Sequence, residues 1–363
     1  MWGDPNVSEL QQIQETTLPM PNTNGGQTTR TLQRSGLLKR LRFMAQAQIS
    51  VSAYTSAPTK SVYGPLGAFI NRIRVEANGQ VPLMDLSGLG AMMFNEIQNR
   101  DASILAPGSF GGATVHNVSA SANIVQYDAV GATGTFNAYM PFEFQLGIPM
   151  NFNGQWQEVG LWLLQNQAID LGVSVTFNDP APAAAANNAL WGGGTNTKVG
   201  VVAGSYLQIE RELYTIPRDV KDYPNLKWVH QVVEFDNPIQ GGFSRFPIPR
   251  AGMLLRAVVI NLDSSGLPVE NTDISSLKFV YGSNDTPISR PGVMLNHEYL
   301  SDYNRYPPKG VSVLDFYKWG EYGLKFVKDT ESLANLRLET NFTATTTGTQ
   351  KIILERLIPV GNR

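Results

Sequence analysis

Two stretches of the sequence decide the fold: YLQIERELYTIP at residues 206–217 and KIILERLIPV at residues 351–360. In both, large apolar side chains recur at every second position, a Glu-Arg step stands among them, and an Ile-Pro step follows. Such alternation is typical of a β-strand with one buried face. The chain therefore contains two copies of one strand, and each copy closes one half of the sequence.

A second pair of strands repeats upstream of these two, in the same order. In this second pair, Leu171, Val173, Val175 and Phe177 match Leu336, Leu338, Thr340 and Phe342, at a spacing of two residues. In the first pair, Leu207, Ile209, Arg211 and Leu213 match Ile352, Leu354, Arg356 and Ile358 at the same spacing. Residues 142–146 match 311–316 more loosely, and the strand from Met44 matches residues 253–262. An ordered repeat of this kind predicts two similar β domains.

Other segments carry local signals of strand, turn or helix. Residues 43–52 alternate as a half-buried strand, and Asn78-Gly79 predicts a tight hairpin between residues 69–76 and 81–86. Ser87 is a candidate cap for a short helix with one apolar face. Residues 156–163 have the spacing of a second short helix.

These patterns predict an all-β protein made of two tandem jelly-roll (β-sandwich) domains, with a few short helices and long surface loops over 106–135 and 179–198. Parallel sheets are disfavoured because helices between the strands are missing. The predicted boundaries are an N-terminal arm over 1–30, a first jelly roll over 31–217, a linker over 218–223 and a second jelly roll over 224–363.

The predicted arm is rich in Gln, Thr, Asn and Pro, and its prolines and its Gly25-Gly26 pair interrupt regular structure. Val7, Leu10 and Ile13 have the spacing of a short helix that would need a partner surface. We expect removal of residues 1–26 to spare folding and to impair assembly.

The composition favours a protein that assembles. Charged residues make up 16% of the chain, against about 25% in typical soluble domains. Interface cores are depleted in charge, so this low content favours extensive contacts between subunits. The net charge of −2 provides no global field for nucleic acid, and the absence of cysteine excludes disulfides, thiolate metal sites and thiol nucleophiles.

No motif for a metal or a phosphate stands out. His116, His230 and His297 are widely separated and lack a second ligand at metal-binding spacing. The glycines of 192–195 are not followed by the Lys and Ser or Thr of a phosphate loop.

Two carboxylate pairs are candidates for the acid and base of glycoside hydrolysis: Glu210 with Glu212, and Glu143 with Asp170. Charged strand surfaces are far more common than such sites. We therefore predict no catalytic residue, no cofactor-binding residue and no metal ligand, and we expect the protein not to be an enzyme.

One local cluster of basic residues has no acid among its members. It comprises Arg30, Arg34, Lys39, Arg40 and Arg42. Such a cluster suits an anionic surface, but basic side chains also protect exposed strand edges from wrong pairing. With Trp2, these five residues are the candidate contacts with a membrane, a neighbouring subunit or the inner surface of an assembly.

The chain resembles the double jelly-roll major capsid proteins of tailless icosahedral bacteriophages and, more distantly, adenovirus hexon. The stretches that carry the resemblance are LGAFINRIRVEANGQVPLMDLSG (66–88), FEFQLGIPM (142–150), LGVSVTFND (171–179), FPIPRAGMLLRAVVINL (246–262), KGVSVLDF (309–316) and ILERLIPV (353–360). They span almost the whole chain after the predicted arm.

The resemblance implies a structural virion protein that forms homotrimers, which pack as pseudo-hexagonal capsomers in an icosahedral shell. Its implied partners are neighbouring capsomers, minor capsid and vertex proteins and, in many relatives, the lipid of an internal membrane, without sequence-specific nucleic acid. The implied location is the virion, assembled in the host cytoplasm. The alternative is a secreted carbohydrate-active enzyme or lectin built from paired jelly rolls.

Overall fold

The computed structural model describes most of the chain. The described residues are 9–20, 26–52, 59–60, 69–98, 134–152, 154–164, 169–178, 191–192, 198–201, 204–219, 223–282, 285–304, 307–319 and 327–360. The two predicted surface loops fall largely outside these ranges, and so does Trp2.

Strands dominate the described residues. In chain order the elements are β1 (Leu10–Gln14), β2 (Leu18–Pro19), β3 (Gln27–Thr31), β4 (Leu37–Ser52), β5 (Thr59–Lys60), β6 (Ile70–Ala77), β7 (Val81–Leu86), α1 (Gly88–Gln98), β8 (Gly134–Gln145), β9 (Ile148–Phe152), β10 (Gln155–Val159), β11 (Trp162–Leu163), β12 (Leu171–Phe177), β13 (Trp191–Gly192), β14 (Lys198–Val201), β15 (Tyr206–Tyr214), β16 (Trp228–Ile239), β17 (Phe243–Pro247), β18 (Met253–Asp263), β19 (Ile274–Tyr281), β20 (Asp285–Arg290), α2 (Gly292–Tyr303), β21 (Val311–Asp315), α3 (Phe316–Trp319), β22 (Lys328–Asp329), β23 (Arg337–Phe342) and β24 (Gly348–Pro359), with a 3-10 turn at Asn271–Asp273. No helix among the described residues has the length and apolar character needed to cross a membrane.

The chain divides into two compact units, and the division falls between Tyr223 and Pro224. One segment departs from sequence order: the β9–β10 hairpin and its flanks, Ile148–Gly160, belong to the second unit. The first half of the sequence thus contributes a hairpin to the second unit.

The first unit contains two antiparallel four-stranded arrays. One runs β1, β15, β4, β8, and the other runs β3, β12, β6, β7. Alternation along β4 buries Leu41, Phe43 and Ala45 and turns Arg40 and Arg42 to the other face. Phe43 stacks on Phe142 of β8 with ring centroids 4.4 Å apart, which contributes to the core of this unit.

The second unit repeats this arrangement. Its arrays run β16, β24, β18, β21 and β17, β23, β19, β20. One buried cluster takes residues from both arrays, as expected for a sandwich. Its members include Leu254, Ala257, Val259, Ile352 and Leu354 from the first array and Phe246, Leu277, Phe279 and Leu338 from the second.

The repeats in the sequence correspond to equivalent strands, as predicted. Strands β15 and β24 occupy the same place, between the first and third strands of their arrays. Strands β12 and β23 likewise occupy the same inner position in the opposite array. The loosely matched segments are also equivalent, because β8 and β21 flank β4 and β18. The prediction of two tandem jelly rolls is therefore confirmed.

The described part of the predicted N-terminal arm over 1–30 contains strands that pair with the rest of the first unit. Leu10–Gln14 is a strand paired with β15, and Gln27–Thr31 is a strand paired with β12. The predicted helix through Leu10 and Ile13 is absent for the same reason. The error arose because β1 is an edge strand with largely polar side chains, so its sequence lacks the alternation of a central strand.

Residues 156–163 form strands rather than the predicted short helix. Gly154, at φ +86°, allows the turn that joins β9 to β10, and Asn151 Oδ1 accepts a hydrogen bond from its amide at 2.8 Å. The apolar spacing that imitated a helix reflects packing: Val159 lies in one buried cluster with Ile148 and Leu357.

Two local predictions around α1 have different outcomes. The Asn78-Gly79 hairpin is confirmed, with φ of 51° and 64° at the two residues, and Ser87 Oγ accepts a hydrogen bond from the Gly90 amide at 3.0 Å. The single apolar face predicted for the helix is wrong, because every residue from Gly88 to Asn95 is buried. A helix buried all round has no amphipathic stripe to distinguish one face.

Candidate functional site

Three of the predicted basic residues meet on the outer face of the β1–β15–β4–β8 array, where carboxylates of neighbouring strands surround them. Arg42 lies 2.7 Å from Glu210, 3.1 Å from Glu212 and 3.6 Å from Glu143. The register of the sheet explains this, because Arg42 stands directly opposite Glu210 on one side and Glu143 on the other. Opposite charges at such positions attract one another.

Arg40 and Lys39 complete this group. Arg40 lies 2.8 Å from Glu212 and 3.5 Å from Glu143, and Lys39 Nζ lies 3.7 Å from Glu212. Burial raises the pKa of Glu212, but its hydrogen bond to Arg40 and the charges of Arg40, Lys39 and Arg42 outweigh this and leave its pKa lowered. Three cations thus face three carboxylates, and this face has no excess of positive charge.

The other two basic residues lie elsewhere in the first unit. Arg30, on β3, pairs with Glu15 at 3.2 Å, and Arg34 pairs with Asp170 at 2.8 Å at an exposed position. The sequence indicated one cluster because the acidic partners lie outside residues 30–42, and all but Glu15 are more than a hundred residues away along the chain. Contact of Trp2 and the five basic residues with a membrane or a neighbour stays a prediction.

A cavity of about 350 Å³ opens on this charged face. Its lining combines the charged Arg42, Glu143 and Glu210 with Met44, Pro141 and Gln208, and also includes Phe43 and Phe142. A general acid needs a carboxyl with a raised pKa, whereas Glu212, beside this cavity, has a lowered pKa.

The second unit carries the same constellation at the equivalent positions. Arg256 of β18 stands opposite Glu355 of β24 and Asp315 of β21, and it lies 3.0 Å from Glu355 and 3.1 Å from Asp315. We call Glu143, Arg42 and Glu210 the first triad, and Asp315, Arg256 and Glu355 the second triad. Each consists of an arginine between two acids on three adjacent strands.

The second triad is buried within a larger polar network. His230 Nε2 lies 3.0 Å from Glu355 Oε1, Tyr303 donates its hydroxyl hydrogen to Asp315, and the Lys318 amide donates to Asp315 at 2.8 Å. Burial lowers the pKa of Arg256, but Asp315 and Glu355 reverse this and hold it well above its ordinary value. This triad was not predicted from the sequence, although a charged residue such as Arg256 in the middle of an apolar stretch is a signal for a buried ion pair.

The arginines of the repeated Glu-Arg step are equivalent as well. Arg211 is fully buried, lies 2.5 Å from Glu15, and donates hydrogen bonds to the Gln33 carbonyl and Ser35 at 3.0 Å. Each arginine also reaches the loop before the third strand of its array, as Arg356 does at the Pro249 carbonyl, 3.4 Å away.

Arg356 differs from Arg211 in its partner on the first strand. Gln231 accepts a hydrogen bond from Arg356 Nη2 at 2.7 Å where the first unit supplies the carboxylate of Glu15. Burial lowers the pKa of Arg356 to about 10. The second unit thus buries this cation at a cost that an acid in place of Gln231 would offset.

Gln231→Glu is accordingly expected to raise the free energy of unfolding by about 1 kcal/mol, because a carboxylate at this position stabilises the Arg356 cation. Urea denaturation would measure it. The matched control is Gln240→Glu, which adds the same charge at an exposed position near the end of β16 and should change stability by less than about 0.5 kcal/mol. An unchanged or lower midpoint for Gln231→Glu would contradict this account of Arg356.

The remaining candidates from the sequence are the three histidines and the glycines of 192–195. Among the described residues, no group of three or more His, Asp and Glu side chains is arranged to hold a metal ion. His116 and residues 193–195 lie outside the described residues.

Comparison with known proteins identifies the fold. No protein-family model matches the chain, and no curated protein matches its sequence. Solved structures do match: the STIV MCP has a TM-score of 0.67 and 14% identity over 97% of both chains. The major capsid protein P2 from Bacteriophage PM2 has a TM-score of 0.53 and 11% identity over 98% of this chain and 99% of its own.

A third match has the same character. The Faustovirus major capsid protein has a TM-score of 0.56 and 9% identity over 98% of this chain and 91% of its own. All three similarities extend over both units, and the strand order of each unit is that of a jelly roll. The chain therefore has the double jelly-roll fold of these capsid proteins.

Proposed function

We propose that this chain is a major capsid protein, the main structural subunit of an icosahedral virus shell. The observation that carries the proposal is the similarity to the STIV MCP over 97% of both chains. A shared fold alone does not determine function, so the charged residues of the chain must also fit the proposal. The low fraction of charged residues and the arginine-bound carboxylates favour a contact protein over an enzyme.

In this proposal three chains form a capsomer. Three copies of a chain with two similar jelly rolls provide six similar sides, and such a trimer packs in a near-hexagonal lattice. Closed cyclic symmetry is the usual state of soluble homo-oligomers. Within each unit the inner faces of the two arrays form the core, as the second unit shows, and the outer faces are proposed to meet neighbouring copies.

The partners of the capsomer follow from its place in the shell. They are neighbouring capsomers, minor capsid and vertex proteins, and the lipid of a membrane inside the shell of a bacteriophage-like virion. The N-terminal residues, with Trp2, and the side of the first unit that carries Arg34 are proposed to face the interior.

The mass of the purified chain in solution tests this function. Sedimentation equilibrium is expected to give a particle of three chains, each of 39.8 kDa. A monomer at all concentrations and salt conditions would contradict the proposal. Glycan hydrolysis by the pure protein, abolished in Glu210→Gln, would also contradict it and would instead establish the carbohydrate-active alternative.

A further inference from the structure

The two triads have the same chemistry but very different exposure. In the second triad, the side chains of Arg256, Asp315 and Glu355 are 2% to 5% exposed. In the first triad, the side chains of Arg42, Glu210 and Glu143 are 36%, 32% and 16% exposed in the single chain. The repeat therefore has a buried version and an open version of one surface.

Chain from elsewhere in the sequence covers part of this surface in the second unit. Ile148, Met150 and Val159 of the β9–β10 hairpin pack with Leu255 and Leu357, which lie beside the second triad on the same array. This hairpin interrupts the sequence of the first unit. One repeat is thus covered by a segment that comes from the other half of the chain.

The open surface has the properties of a protein contact. Its charges are already paired and held by adjacent strands, so little side-chain freedom remains to be lost on binding. Arginine and methionine, which are enriched at interfaces, line its cavity of about 350 Å³ together with Pro141. The equal numbers of cations and carboxylates argue against a purely anionic or cationic partner.

We propose that the outer face bearing the first triad is the surface on which a second copy of this chain docks. The occupant follows from the repeat: the related surface of the second unit is covered by chain from the first half, so in a symmetric assembly the corresponding cover for the first unit comes from a neighbouring copy. This inference rests on the proposed trimer and specifies which face of the first unit closes it.

Site-specific labelling tests the location of the contact, because the chain contains no cysteine. Gln208→Cys places a thiol at the cavity, and Ser174→Cys places one at a matched position, half-buried on an inner strand of the other array. In the trimer, the thiol at position 208 is expected to react with a maleimide about tenfold more slowly than the thiol at position 174. Equal rates in the trimer would overturn the proposal.

A second measurement uses the triad itself. Arg42→Ala is expected to weaken trimer formation at least about thirtyfold, because it removes the cation 2.7 Å from Glu210 and leaves that carboxylate without its arginine in a covered interface. Arg74→Ala, which removes pairs with Glu76 and Asp85 on the other array of the same unit, is the control and should leave trimer formation unchanged. A wild-type trimer that Arg42→Ala does not weaken would overturn this inference and leave the capsid function intact, whereas a monomeric wild type would contradict both.

Discussion

Replacing Arg256 with methionine is expected to lower the free energy of unfolding by about 3–5 kcal/mol. The substitution keeps an unbranched side chain but leaves Asp315 and Glu355 buried without the cation between them. Breaking one partner out of a buried ion network costs more than the network itself contributes, because the remaining charges stay desolvated. Urea denaturation of the purified variant and wild type measures this difference.

The pH dependence of this variant separates charge from packing. Without Arg256, the buried carboxylates favour their neutral forms, so the loss of stability should shrink as the pH falls through the carboxyl range. A loss that arises only from a packing defect would not change with pH. Arg290→Met is the control, because Arg290 makes a largely exposed pair with Glu298 and its loss should cost less than about 1 kcal/mol. Equal effects of the two substitutions would contradict the structural role of the second triad.

Glu15→Ala is expected to destabilise the first unit by about 3–5 kcal/mol. The side chain of Glu15 is 5% exposed and lies 2.5 Å from Arg211, whose side chain is fully buried. Removal of the carboxylate leaves the Arg211 cation in the core with neutral hydrogen-bond acceptors only among its described contacts. Glu9→Ala, at an exposed position on the same segment, should change stability by less than about 0.5 kcal/mol.

The same prediction decides between an arm and a strand. If residues 1–26 were a separate arm, neither Glu15→Ala nor their removal would affect folding. Because β1 and β2 pair with β15, removal of residues 1–26 is now expected to prevent stable folding, which reverses the sequence-based expectation. A free energy of unfolding for Glu15→Ala equal to that of the wild type would instead support the interpretation of residues 1–26 as a separate arm.

The strands that could be predicted from the sequence are those in which apolar side chains alternate regularly. Leu171–Phe177 and Tyr206–Tyr214 alternate cleanly because each is buried on one face between two neighbours, and their repeats could therefore be aligned. Among the described residues, the edge strand Leu10–Gln14 has no neighbouring strand on one side. Its alternation of apolar and polar side chains is therefore too weak to identify it as a strand.

The charged site was predicted in part. The sequence placed Arg40 and Arg42 on one strand, but their carboxylate partners lie on β8 and β15, more than a hundred residues away. Pairing across strands depends on register, and register follows from the whole sheet rather than from local spacing. For this reason a cluster that appeared purely basic became a neutral network.

The second triad was missed for a related reason. Glu355 does align with Glu210 in the repeated Glu-Arg step, but Arg256 and Asp315 lie on the two strands whose repeats match only loosely. Their pairing with Glu355 depends on the register of β18 with β21 and β24, which local spacing does not give.

Cryo-electron microscopy of the purified chain in its assembled form tests whether this protein is the trimeric subunit of a virus shell. We expect a threefold particle in which six jelly rolls surround the axis and the face with Arg42, Glu143 and Glu210 lies against a second copy. A monomer, or an oligomer without threefold symmetry, would contradict it.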